Sequence, residues 1–261
     1  MNEAILPTYL PAVAVTFTKK GGSEPVHVFR PYEAIPIAEL KQHAEKEEIG
    51  ALLQLGERCF YGNLGAEQDF EAAYDYLKRA AMKGAQDAQY LLAAYYVTEE
   101  IGMFERDAKK AIRMLTIAAN GGSWRAMERL AMAYRSGKGG AEVDHEQSFA
   151  WTEQAERMIR IYWQFYTQEN FIDFDDTLKD LLHAHSRVSF LLASCYADGI
   201  GTARDLDAAL RCIDSGERFV CNVTGLAKVP MFEQRRAELL ARQQKDAARA
   251  EAAEKEAKKK K

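Results

Sequence analysis

His183 and His185 are the closest histidine pair in the chain, and neighbouring imidazoles are an ordinary starting point for a metal site. Two residues apart on a regular helix, their side chains diverge by about 200°, so one ion cannot take both. His27, His43 and His145 lack the cysteine or histidine spacing that zinc requires. Asp173, Asp175 and Asp176 crowd one short stretch and could attract a cation, but the start of a helix accounts for them more simply. The four cysteines, Cys59, Cys195, Cys212 and Cys221, show no CxxC spacing and read as free thiols. Gly-x-Ser-x-Gly, phosphate-loop and dinucleotide fingerprints are all missing. The expected chemistry is therefore non-covalent binding, with no enzyme activity, no metal and no cofactor.

The elements that would position binding residues recur along the chain. Ala51, Leu55 and Cys59 fall four apart, as do Ala88, Leu92 and Tyr96, then Ala126, Leu130 and Tyr134, then Val188, Leu192 and Tyr196. That spacing puts each trio on one face of a helix. Each trio is followed by an aspartate suited to cap a second helix: Asp69, Asp107, Asp144 and Asp205. Small residues then recur at helical spacing in Ala73 and Ala80, Ala111 and Ala118, Ser148 and Ala155, and at Ala209. Gly62, Gly137 and Gly199 fit left-handed ends of the first helices, and Gly84, Gly122 and Gly216 close the units. Steps of roughly 37, 38 and 62 residues separate the copies, a period that signals a solenoid. No single pair of helices can bury both faces, so stability is shared between neighbours.

Two copies depart from the pattern. The second has only Gly102 in its turn, residues 97–103. The third has no closing glycine near position 159 and continues through Tyr162, Trp163, Phe165 and Tyr166. An insertion of about 24 residues, divided between two antiparallel helices, predicts a hairpin projecting roughly 18 Å. Trp163, Phe165, Phe171 and Phe174 are its candidate partner-binding residues, since buried aromatics dominate interfaces; the alternative is that they pack the hairpin itself.

Residues 1–46 stand outside the repeat. Alternation over residues 12–18, a Gly-Gly turn and residues 25–29 predict a β-hairpin, and Pro36 can open a capping helix. Residues 47–220 hold the repeats (47–84, 85–122, 123–158 and 186–220) around the insertion at 159–185. A C-terminal helix opening at Pro230 and a basic tail fill 221–261. From Arg235 to Lys261 the tail carries about +5, against a net −4 for all 261 residues, so the body is acidic. Nucleic acid is thus not expected as the main ligand, although the tail could touch acidic surfaces weakly. No apolar run of about 20 residues predicts a membrane span, and no signal peptide is evident, so a cytoplasmic location is expected.

The run Tyr196-Ala-Asp-Gly-Ile-Gly201 followed by Asp205, and its counterpart in the first copy, resemble the Sel-one-like repeat family, relatives of the tetratricopeptide repeats. The resemblance covers roughly residues 48–220. It implies an all-α, right-handed α/α superhelix of four repeats, commonly bacterial, that serves as a non-catalytic scaffold or adaptor binding another protein or peptide. An immunity-type inhibitor of a bacterial toxin is the alternative it leaves open. By register with the related arrays, Glu57, Tyr90, Arg125, Glu128, Arg135, Arg187 and Phe190 would line the concave face. In that register the aromatics would stack on a ligand, and the arginines would offer forked donors to carboxylates. Secreted look-alikes with one disulfide per repeat would pair Cys195 with Cys212.

Overall fold

The computed structural model describes residues 12–18, 25–168, 173 and 175–259. Strands β1 (Ala12–Thr18) and β2 (Pro25–Pro31) pair antiparallel, with Ala12 opposite Pro31 and Thr18 opposite Pro25. A single 3-10 turn (Tyr32–Ala34) leads to α1 (Ile37–Glu45). Four helix pairs follow: α2 (Ile49–Tyr61) with α3 (Phe70–Met82), α4 (Gln86–Ala94) with α5 (Ala108–Asn120), α6 (Trp124–Ser136) with α7 (His145–Tyr166), and α8 (Asp175–Asp198) with α9 (Leu206–Thr224). Helix α10 (Pro230–Lys259) ends the described chain. Each helix packs on the next, and α4 also touches α2 and α6, so first helices of adjacent repeats stand side by side along one wall. The protein is an all-α solenoid.

The cause of each pair lies in its loop. Asp69, Asp107, Asp144 and Asp205 all cap their helices, with side-chain oxygens accepting backbone N–H groups at 2.8 to 3.0 Å. Their own N–H groups donate back to the carbonyls of Cys59, Tyr96, Tyr134 and Tyr196 at 2.8 to 3.0 Å. One residue therefore starts the second helix and ties it to the end of the first. The loop of the second repeat is longer and contains a 3-10 turn (Glu99–Ile101), yet it returns to the same bond. The small residues lie between helices as their spacing predicts: Ala73, Ala80, Ala111, Ala118, Ala155 and Ala209 are buried. Ser148 takes the alanine position in the third repeat, and its hydroxyl donates to the Ala131 carbonyl at 2.8 Å. Gly216 leaves the space that Phe232 of α10 fills, since a Cβ there would sit 2.7 Å from that ring. All four cysteines are free thiols, Cys195 and Cys212 included.

The long helices of the third and fourth repeats do not stand clear of the array. Met158, Ile159, Tyr162, Tyr166, Leu181 and Ala184 are buried; exposing such a face would cost several kcal/mol, at about 25 cal/mol per Å². The Trp163 ring meets Phe219 edge-on at 5.0 Å, and His185 stacks on Phe219 at 4.1 Å. Helix α9 runs on through Phe219 and the buried Val220 to Thr224. At the other end, Asp173 pairs with Arg30 at 2.8 Å and Thr177 donates to Glu33 at 3.4 Å. The insertion thus leans back to the N-terminal segment. Phe171 and Phe174, expected at its tip, lie outside the described residues.

Arg58 fastens that N-terminal segment. Its side chain is 2% exposed, and its guanidinium donates to the carbonyls of Tyr32, Glu33, Ile35 and Leu64 at 2.8 to 3.2 Å. Beside it, the Tyr32 hydroxyl donates to Glu48, and the His43 ring lies 2.9 Å from the same carboxylate. At the far end, Phe232 and Leu239 bury α10 against the fourth repeat, whereas residues 247–258 are all exposed.

Two outcomes follow from this packing. Gly201 and Gly225 share a left-handed φ of +71°, but a Cβ on Gly201 would sit 1.8 Å from the His145 carbonyl oxygen, while one on Gly225 would meet nothing within 4 Å. Gly225→Ala should cost about 1–2 kcal/mol from backbone strain, and Gly201→Ala at least about 2 kcal/mol more, read from urea midpoints. Arg58→Met strips four carbonyls of their donor and should cost about 3 kcal/mol, with faster proteolysis confined to residues 25–48.

Candidate protein-binding surface

Helices α2, α4 and α6 stand side by side along the wall expected to be the inner one, and Asp180, His183 and Arg187 of α8 line clefts upon it. Tyr90 of α4 sits at the meeting point of three clefts. A charged cleft of about 290 Å³ holds Arg125, Glu128, Asp180, His183 and Arg187. An acidic one of about 270 Å³ holds Glu33, Glu57 and Asp180. The third, about 260 Å³, is walled mainly by apolar groups, including Phe60, Leu91, Val97, Ile112 and Leu115. Of the residues expected on the concave face, Glu57, Tyr90, Arg125, Glu128 and Arg187 come together here.

Most of the arginines are already engaged. Arg187 grips Glu128 through two bonds of 2.7 and 2.9 Å. Arg125 lies 3.5 Å from Asp180 and 3.8 Å from Asp87, with its guanidinium 4.7 Å from the centre of the Trp124 ring. The Arg187 fork is filled by a carboxylate of this chain, and Arg125 is flanked by two others. Arg135 is turned toward the Cys195 sulfur at 3.6 Å. Phe190 packs on Phe232 at 4.7 Å, beneath α10. In the insertion, Trp163 meets Phe219, and Phe165 lies edge-on to the buried Tyr166 at 5.2 Å.

Glu57 is the carboxylate most affected by its setting. Burial pushes its pKa up to about 7; Arg125 opposes the rise, and Asp87, Glu33 and Asp180 add to it. Glu33 is raised as well, first by burial and then by Asp180 and Asp176. Burial also raises Tyr90, against the pull of Arg125 and Arg129. This wall is thus a set of shielded charges around an aromatic ring. Register alone overlooked Asp180, Glu33 and Arg129. Arg129 was legible, one turn beyond Arg125 on the same helix face; Asp180 comes from the insertion and Glu33 from outside the repeat. Among the described residues, no group of three or more His, Cys, Asp or Glu could hold a metal ion, and no helix is long and apolar enough to cross a membrane.

Glu57 has a measurable signature. Its raised pKa means the folded state retains a proton that the unfolded chain gives up near its ordinary 4.5. Its stabilising share is complete below that value and is lost as pH rises through about 7. The melting temperature of Glu57→Gln should therefore fall less than that of the parent between about pH 5 and 8, measured by circular dichroism.

Solved structures similar to this chain include the following three. A Sel1 repeat protein from Oxalobacter formigenes is 19% identical, with 78% of this chain and 90% of that one covered and a TM-score of 0.41. A Sel1 repeat protein from Klebsiella pneumoniae subsp. pneumoniae is 14% identical, with 78% and 99% covered and a TM-score of 0.38. A protective antigen of uropathogenic Escherichia coli strains, with an SLR fold, is 20% identical, with 80% and 56% covered and a TM-score of 0.33. No curated protein matches the chain. The family model of the Sel1 repeat matches residues 49–84, 86–123, 124–158 and 187–213. Those segments amount to more than half of the sequence and coincide with the four helix pairs, and the chain belongs to the Sel1 repeat family.

Proposed function

We propose that this protein is a scaffold that holds a segment of a partner protein on its inner wall, with Tyr90 at the centre of the contact. Sel1 repeat proteins are generally protein-interaction scaffolds, and no catalytic family is indicated for this chain. The observation that carries the reading is the convergence of three clefts on one half-buried tyrosine. Tyr61, Leu64 and Met132, each 50–54% exposed, lie along the same clefts. Exposed apolar side chains grouped around concave surface are what an interface buries. The aromatics of the insertion support this surface over the hairpin, since Trp163 and Phe165 are engaged in packing.

The test is site-specific photo-crosslinking from position 90 in the native host, with position 223, exposed on α9, as control. A discrete partner should be captured from position 90 alone. Tyr90→Ala should then weaken that partner by tenfold or more, equivalent to about 1.4 kcal/mol, while melting moves little. Equal capture from both positions would sink the reading.

A further inference from the structure

The apolar cleft owes its existence to the irregular second repeat. From Ala51, Ala88 and Ala126, the matching anchors of the three first helices, α2 runs on to Tyr61 and α6 to Ser136, but α4 stops at Ala94. It has 9 residues where its neighbours have 13, so it is roughly 6 Å shorter at this end. Past that point the chain keeps only a tighter turn, in which the N–H groups of Tyr95, Tyr96 and Val97 bond to carbonyls three residues back. Tyr95 swings toward α3, donating its hydroxyl to the Phe70 carbonyl at 2.8 Å and packing edge-on to Tyr74. Tyr96 goes with it, stacking on Phe104 at 5.2 Å beneath the Lys110 ammonium. A gap opens between the ends of α2 and α6, floored by Ala111, Ile112 and Leu115 of α5.

The charge around this gap is one-sided. Its lining includes two ionised side chains, Arg129 and Lys138, and no carboxylate, on a chain whose net charge is −4. Both cations are exposed. Unlike Arg125 and Arg187 nearby, neither takes part in an ion pair among the described residues. The opening is bordered by Tyr61 and Met132, 54% and 52% exposed. At about 260 Å³ it is smaller than a typical site for a drug-sized molecule, which begins near 300 Å³, and has room for one bulky side chain.

We infer that the gap left by the short α4 is a docking site for a bulky apolar side chain carried on an acidic segment of a partner polypeptide. The apolar group enters between α2 and α6, and carboxylates beside it in the partner's sequence meet Arg129 and Lys138. This inference rests on the inner-wall reading and adds the chemistry of the partner. The neighbouring cleft has the opposite balance, with Glu33, Glu57 and Asp180 against Arg125, and so disfavours an acidic segment that lies the other way along the wall. Charge thereby sets the direction of the bound segment as well as its affinity.

The test uses the full chain and three dye-labelled peptides of equal length, followed by fluorescence anisotropy. One has phenylalanine flanked by glutamates, the second has serine in place of that phenylalanine, and the third has phenylalanine flanked by lysines. The first should bind at least tenfold more tightly than either of the others. Arg129→Ala with Lys138→Ala should weaken it about tenfold and flatten its salt dependence, and Ala94→Trp should block it by filling the gap. Both cations are exposed, so the first variant tests charge without disturbing the core. Equal binding of the phenylalanine and serine peptides, equal or tighter binding of the lysine peptide, or no binding of any peptide would each overturn the inference. Crosslinking from Tyr90 reports separately on the inner wall: a partner captured there with no preference for the acidic peptide defeats this inference alone.

Discussion

The hydrogen bond that returns from each capping aspartate to the backbone at or just past the end of the preceding helix is the constraint on which the array depends. It sets where the second helix of a pair starts and how close it lies to the first. Once that is set in Asp69, Asp107, Asp144 and Asp205, the small residues of the second helices fall opposite the apolar stripes of the first, and stacking buries both. The bond joins two backbone groups and needs only an aspartate that can cap in extended conformation. It therefore survives a loop as unlike the others as that of the second repeat.

Because the closure tolerates variation, the irregular parts of the chain can shape the surface without unmaking the fold. The second repeat loses a turn of its first helix, which hollows the wall. The third and fourth gain turns, and the extra length lies back toward the N-terminal segment through Asp173, Thr177 and Asp180. The regular repeats supply a stiff frame, and the departures from regularity supply a shaped and unevenly charged face. An array of four identical units would present the same groove four times and discriminate little.

Charge on this wall is settled largely by the chain's own carboxylates. Arg125 and Arg187 are held by Asp180, Asp87 and Glu128, which orders them and removes them from recognition. A guanidinium already bound in a fork gains little from a second carboxylate. Burial leaves Glu57 with an unfavourable environment for its charge, which Arg125 offsets only in part, so one side of Tyr90 is sensitive to pH near neutrality. The other side keeps two unpaired cations. Tyr90 separates these regions.

What could be read in the sequence is what depends on neighbours within a few residues. Capping by an aspartate, the left-handed glycine after α2 or α6, the four-residue spacing of Ala51 and Leu55, and the missing glycine that lengthens α7 are all local, and their physics operates over one or two turns. The grouping of Glu57, Tyr90, Arg125, Glu128 and Arg187 was legible for the same reason, since a repeat maps equivalent positions onto one wall. The tertiary structure alone decided which of these residues are open. Phe190 is covered by Phe232, Arg125 is held by Asp180, and Arg58 is gripped by carbonyls of the N-terminal segment, in each case by a partner about 25 to 55 residues away. Whether an exposed-looking side chain finds such a partner depends on how an insertion and two terminal elements settle on the array, and that is set by burial of their apolar faces, which periodicity along the chain does not encode.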